Sequence, residues 1–349
     1  MLRAYGRWFA GIGALAIIAG ALFALDFVYP PDVSRYRDRS IEVRASDGRI
    51  LRAFLTGDDK WRLATDPVEV DPRYIAFLKA YEDQRFDAHW GVDPLAALRA
   101  LTQLAGAGHI VSGASTLTMQ TARLLEPGSR GILTKLRQVG RALQLERRYS
   151  KAQILNMYLT LAPFGGNVEG VRAAALAYFD KEPKRLTAGE AALLVAIPQS
   201  PERARPDKPR SGARAARDKV LERMAHAGIL SPAEYSEAVA LPVPAIRHNL
   251  PFLAPRFAQG LAEHAAPGSI IRTSVDADWQ IALEALAKKE GSWFPDGAAM
   301  AALVIDNKTR TVRSYLDGLD FWNHQGQIDL ARAVRSPGSA LKPLYKCRP

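Results

Sequence analysis

Two short stretches hold the residue types that could do chemistry. Tyr81-Glu82-Asp83-Gln84-Arg85-Phe86-Asp87-Ala88-His89-Trp90-Gly91 places a carboxylate, an aromatic ring and a histidine at i, i+4 and i+7. If the segment is helical, Glu82, Phe86 and His89 share one face. A carboxylate with a fixed rotamer and tuned surroundings serves as a general base, and Phe86 and His89 are suitable neighbours for one. An isolated Glu-Asp pair is more often a solvated helix N-terminus favoured by the macrodipole, so the argument rests on the full spacing. The second stretch, Gly113-Ala114-Ser115-Thr116-Leu117-Thr118-Met119-Gln120, is small and rich in hydroxyls. Ser115, Thr116 and Gln120 supply hydroxyl and amide groups near a helix start, where free backbone N–H groups suit phosphate. Plain N-capping also accounts for Ser115 and Thr116.

The elements that must position these groups read as mainly helical from Asp71 to about Gln199. Residues 141–161 are rich in helix formers, with Leu143, Ile154, Leu155, Tyr158 and Leu159 on the expected buried side. Thr187 and Glu190 form a capping box before an apolar run. Pro198, Pro201, Pro206 and Pro209 then interrupt the chain, and residues 203–217 form a basic connector. One or two helices follow up to about Val239, and Pro242, Pro244, Pro251 and Pro255 mark another irregular stretch. Residues 30–70 alternate polar and apolar around a turn at Asp47-Gly48, which predicts a short hairpin. A second strand-like pattern runs over residues 300–305 and 311–316, with a turn at Asp306-Asn307.

The 349-residue length suggests about two domains, and 48% apolar residues can build a sizeable core. A net charge of +11 admits nucleic acid, anionic headgroups or a phosphorylated substrate. The N-terminus chooses among them. Arg3 and Arg7 precede residues 8–25, which carry no charge and sit at the lower limit for a spanning helix. A cleavable signal peptide usually has a shorter apolar region and a small-residue cleavage site, neither of which is found here. Arg3 and Arg7 stay inside and everything after Tyr29 lies outside, which removes nucleic acid as a partner. Cys347 is the single cysteine, so no intrachain disulfide forms.

The spacing E-D-x-x-F-x-x-H-x-G, followed by G-A-S-T-x-T-x-Q, resembles the first two signature motifs of the peptidoglycan glycosyltransferases. These are the polymerase domains of class A penicillin-binding proteins, and the 1C type is the most similar. Residues 131–151, 154–179 and 190–201 resemble the third to fifth motifs. The resemblance implies a mainly α fold: a lysozyme-like glycosyltransferase domain with an N-terminal transmembrane helix and an incomplete α/β transpeptidase start. It implies Glu82 as the catalytic base. Asp83, Phe86, His89, Ser115, Thr116, Gln120, Arg123, Lys135 and Gln138 would then bind substrate, Arg123 and Lys135 through a pyrophosphate. Gln138 stands where the family carries its second catalytic carboxylate, and Thr160 replaces a family asparagine. Glu146 reads as structural, and the glycines at 165, 166 and 170 as tight turns. No cofactor is firmly implied; a divalent cation (Mg or Mn) is left open. The implied partners are lipid II, nascent glycan strands, the membrane and other cell-wall synthesis proteins. The implied place is the bacterial inner membrane, single-pass, with the catalytic domain periplasmic. Residues 95–110, with leucines at 95, 98, 101 and 104, either dip into lipid or pack in the core.

Ser339 and Lys342 form the S-x-x-K pattern of penicillin-binding proteins, a serine one helical turn from an activating lysine. No S-x-N or K-T-G follows before Pro349, so a transpeptidase remnant without transpeptidation is expected. The expected domains are a cytoplasmic tail (1–7), a signal-anchor (8–29) and a β-rich lead-in (30–70). The glycosyltransferase domain (71–210), a helical and Pro-rich linker (211–297) and a truncated transpeptidase domain (298–349) follow. Two other functions fit parts of the pattern. A lytic glycosidase also needs a glutamate, but the S-T-x-T-x-Q block and the anchor argue against it. A degenerate scaffold that binds lipid II or other wall-synthesis proteins would be consistent with Gln138, Thr160 and the expected truncated end.

Overall fold

The structure, a computed structural model, describes residues 26–96, 98, 115–129, 131–208, 212–293, 295, 300–322 and 328–334. The expected membrane span lies outside them apart from residues 26–29, as do Gly113, Ala114, Ser339 and Lys342. Of the expected lipid-dipping segment, only Leu95, Ala96 and Leu98 are described, and both leucines are exposed. Among the described residues, no helix is long and apolar enough to cross a membrane.

In chain order the elements are α1 (Ser34–Arg37), β1 (Glu42–Arg44), β2 (Ile50–Ala53), β3 (Trp61–Arg62) and α2 (Pro72–Glu82). Next come α3 (Leu117–Leu125), α4 (Ile132–Arg148), α5 (Lys151–Leu161), β4 (Val168–Glu169) and α6 (Val171–Phe179). They are followed by α7 (Ala188–Ala196), the 3₁₀ turn Ile197–Gln199, α8 (Pro201–Ala204), α9 (Ala213–His226) and α10 (Pro232–Ala240). Last are α11 (Pro255–Ala262), β5 (Ile270–Arg272), α12 (Ala277–Gly291), β6 (Ala302–Ile305) and β7 (Val312–Leu316). The chain divides into two compact units, residues 1–39 with 55–249, and residues 40–54 with 250–349. This division crosses the boundaries expected from sequence, since residues 40–54 of the lead-in belong with the C-terminal unit.

The first unit is helical because its helices begin where local chemistry dictates. Asp71 caps α2 by accepting the Arg73 N–H, with proline in the first turn. Ser150 with Gln153, Thr187 with Glu190, and Ser231 with Glu234 each close a capping box. Helix α7 is apolar and buried apart from Glu190 and therefore central, packed by α2 and α9. Helix α2 turns Tyr74, Phe77, Leu78 and Tyr81 into this core, while α3 packs on α4 and α5. Residues 141–161 fall in two helices, broken where Ser150 caps the second. Leu143 is not on the buried side: it is 42% exposed, and Ala142 and Leu145 are buried in its place. Ile154, Leu155, Tyr158 and Leu159 are buried as expected. The short parallel pair β3 and β4 is held by Arg62, which is fully buried and donates its Nε to Glu169 at 2.8 Å.

In the second unit, β1 pairs antiparallel with β2 and parallel with β5. Val43, Ala45, Leu51, Ala258, Val275 and Ala277 form its core. The hairpin of β6 and β7 is antiparallel with Ala302 opposite Leu316, at the positions where the alternating pattern was found.

Candidate active site

Helix α2 ends at Glu82, and Asp83 is its C-cap, with an extended backbone at φ −159°. Residues 84–88 form turns. Glu82, Phe86 and His89 therefore do not share a helical face, which corrects the i, i+4, i+7 expectation. The physical reason lies in Asp83. Its Oδ2 accepts the backbone N–H of Leu117 at 2.9 Å, and its carboxylate also lies 2.9 and 3.0 Å from His89 Nε2. Both side chains are buried. This pairing draws the chain out of the helix and seats the first turn of α3 on the end of α2.

Glu82 is thereby left at the end of α2 with both oxygens in use. Oε2 accepts from Gln120 Nε2 on α3 at 2.8 Å, and Oε1 accepts from Gln199 Nε2 at 2.8 Å. Two buried phenols lie close enough to sense the charge. Burial raises the Tyr74 and Tyr158 hydroxyls above the usual phenol range, and the Glu82 carboxylate adds to it. At the edge, Arg223 sits over the Tyr81 ring at 4.8 Å.

Thr116 caps α3 by accepting the Met119 N–H, and its hydroxyl donates to the Gly91 carbonyl at 2.6 Å. Gly91 has φ +76°, and a Cβ there would meet the Ala142 carbonyl oxygen at 2.8 Å. Only glycine allows the chain to turn this close to α4. Phe86 is buried, with Lys151 Nζ 4.6 Å and Lys79 Nζ 5.4 Å from its ring centre. Lys151 also donates to the His89 carbonyl and to Glu146, both at 2.7 Å. Glu146 accepts the Thr118 hydroxyl at 2.6 Å, so its carboxylate is committed to holding α3 and α5.

A cationic corner lies beside Ser115. Lys135, on α4, donates to the Ser115 hydroxyl. Burial pushes the Lys135 ammonium below the ordinary lysine value, and the Arg123 charge pushes it further. Two cations that sense each other's charge suit a doubly charged phosphate group. Gln138 is half-buried on α4 and makes no side-chain hydrogen bond among the described residues. Thr160 is buried and donates to Asn156 Oδ1 at 3.2 Å.

Among the described residues, no three His, Cys, Asp or Glu side chains converge to hold a metal ion. Gln138 offers a neutral oxygen where the resemblance implies a carboxylate. No step below runs through the divalent cation left open above. Gln199 and Lys151 did not stand out in the sequence. Gln199 lies in the proline-flanked stop after α7, where Pro198 and Pro201 read as chain termination and masked the amide between them.

The family model described as Transglycosylase matches residues 47–225. The chain belongs to the transglycosylase family. Penicillin-binding protein 1C of Escherichia coli (strain K12) is 38% identical over 98% of this chain and 44% of its own length. A biosynthetic peptidoglycan transglycosylase from Klebsiella oxytoca is 38% identical over 52% of this chain and 76% of its own. Penicillin-binding protein 1F of Bacillus subtilis (strain 168) is 31% identical over 82% and 43%. The resemblance to 1C-type proteins drawn from the motifs is thus borne out, and the chain spans less than half the length of that relative.

Proposed function

We propose that this chain is a membrane-anchored peptidoglycan glycosyltransferase that polymerises glycan strands from lipid II, with Glu82 as the base. The observation that carries the reading is the Glu82 carboxylate, oriented on both oxygens by neutral amides and without an ion pair among the described residues. Such a group takes the proton of an acceptor sugar hydroxyl. The hydroxyl oxygen then bonds to the donor anomeric carbon as the bond from that carbon to the lipid pyrophosphate breaks. Lys135, Arg123 and Ser115 meet the charge that develops on the departing pyrophosphate. The relatives' names, which include a biosynthetic peptidoglycan transglycosylase, support the same chemistry.

The membrane part of the reading rests on the uncharged run at residues 8–25 and on apolar groups left in solvent. Ile132 and Leu133 on α4 are each 82% exposed, and Leu136, Phe27, Val28 and Tyr29 are exposed with them. Asp26, just after the expected span, is buried and ion-paired to Arg147 and Arg148 of α4. This pairing would tie an anchor to the catalytic unit. The inner membrane, a periplasmic catalytic domain, nascent strands and other cell-wall synthesis proteins as partners follow as parts of this proposal. No reaction is assigned to Ser339 and Lys342.

The test uses the full chain in detergent with lipid II. Wild-type protein should yield polymer, and Glu82→Gln should lose about 10²–10⁴-fold in rate while still binding lipid II. More than half of wild-type activity in Glu82→Gln would overturn the assignment. Gln138, with no side-chain hydrogen bond among the described residues, also supports a second reading, a lipid II-binding or cell-wall-synthesis scaffold. In that case the wild-type chain binds lipid II and forms no polymer.

A further inference from the structure

Gln199 ends the 3₁₀ turn Ile197–Gln199, directly after the central helix α7. Ile197 is fully buried, and its carbonyl accepts the Ser200 N–H at 3.0 Å, so the backbone here is fixed by the core. The Gln199 side chain is exposed, and it ends on Glu82 Oε1 at 2.8 Å. Gln120 takes Oε2 at the same distance from the half-buried side. An ionised carboxylate offers only acceptors, so both amides must present their NH₂ groups to it. One donor on each oxygen fixes the carboxylate plane and leaves each oxygen a second lone pair for a substrate hydroxyl. Because both donors are neutral, they orient the charge without cancelling it, as an arginine would.

We propose that Gln199 is a positioning residue for the base: it holds the exposed oxygen of Glu82 against free rotation, so that the lone pair facing the acceptor hydroxyl stays aligned. The inference rests on the reading of Glu82 as the base. Its position in the chain is informative, because the turn after α7 thereby couples the core helix to the chemistry through one side chain.

The experiment compares Gln199→Leu and Gln199→Glu with wild type and Glu82→Gln, all as full chains polymerising lipid II. Gln199→Leu should lower kcat about tenfold, the effect of one lost hydrogen bond to a charged group, with KM changed less than about twofold. The acid limb of its pH–rate profile should move to higher pH, since the anion loses a donor. Gln199→Glu keeps size and shape but exchanges the donor for a second carboxylate, and should move the limb further. A space-filling role would tolerate Gln199→Glu, because the residue is exposed. Wild-type kcat and an unmoved acid limb in Gln199→Glu would overturn the proposal while leaving Glu82 as base. High activity in Glu82→Gln would instead overturn the base, and this inference with it. Melting temperatures within about one degree of wild type should accompany each Gln199 variant, and a large drop in either variant with an unmoved limb would show a structural role instead.

Discussion

The Asp83 carboxylate accepts the backbone N–H of Leu117 at 2.9 Å, so the residue beside the proposed base is what seats the first turn of α3. That turn carries Thr116 as its cap and places Gln120 on Glu82 one turn later. Asp83 therefore acts on the site through the helix it holds.

Replacing Asp83 with alanine should strand the buried Leu117 N–H and the His89 Nε2 together. Each buried group left without a partner costs about 1–3 kcal/mol. Thermal unfolding should show a clear drop in melting temperature, larger than for Asp83→Asn, whose amide oxygen still accepts the Leu117 N–H. An unchanged melting temperature in Asp83→Ala would show that α3 is held by packing alone.

Lys135 sits below the ordinary lysine value, first through burial and then through Arg123. Its positive charge is therefore lost at lower pH than that of a free lysine. If this charge meets the pyrophosphate, the alkaline limb of the rate profile belongs to Lys135. Lys135→Arg remains charged and should shift that limb upward, whereas Lys135→Ala should cost about 10- to 100-fold in kcat/KM at neutral pH, the worth of a charged hydrogen bond. Rate profiles of the three proteins on lipid II decide it.

Gln138→Glu should retain at least wild-type polymerisation. The side chain is half-buried and makes no hydrogen bond among the described residues, so no donated hydrogen bond is lost when its amide becomes a carboxylate. A large loss of activity with an unchanged melting temperature would show that the neutral amide itself is required.

Glu202 holds the loop after α5 by accepting the Gly166 N–H at 2.8 Å. That bond, followed by Lys208, lowers its carboxyl from 4.5 to about 2. A depressed acid stabilises the fold fully above its unfolded value and loses that contribution as pH falls toward the folded one. Between about pH 4.5 and pH 2, wild type should therefore lose more thermal stability than Glu202→Gln, whose amide oxygen accepts the same N–H at any pH. Parallel melting curves over this window would exclude the effect.

What the sequence determined by itself was local or carried by side-chain type. The capping box of Thr187 and Glu190, the alternation that became β6 and β7, and the Glu82 and S-T-x-T-x-Q stretches are all readable, because each depends on residues a few positions apart. Tertiary structure decided the rest. The bonds that build the site join residues 34, 38 and 117 apart in the chain, and no local preference specifies them. Asp83 could have continued the helix, and the periodicity of Glu82, Phe86 and His89 invited that reading. Burying the Asp83 carboxylate against His89 and Leu117 satisfies three polar groups at once, through partners that a continued helix would not bring to it. For the same reason Leu143 lost its expected buried place to Ala142 and Leu145: the direction in which a helix faces is set by what packs on it. Likewise β1, near the N-terminus, found its parallel partner in β5 at residues 270–272, a pairing that only the closed chain reveals.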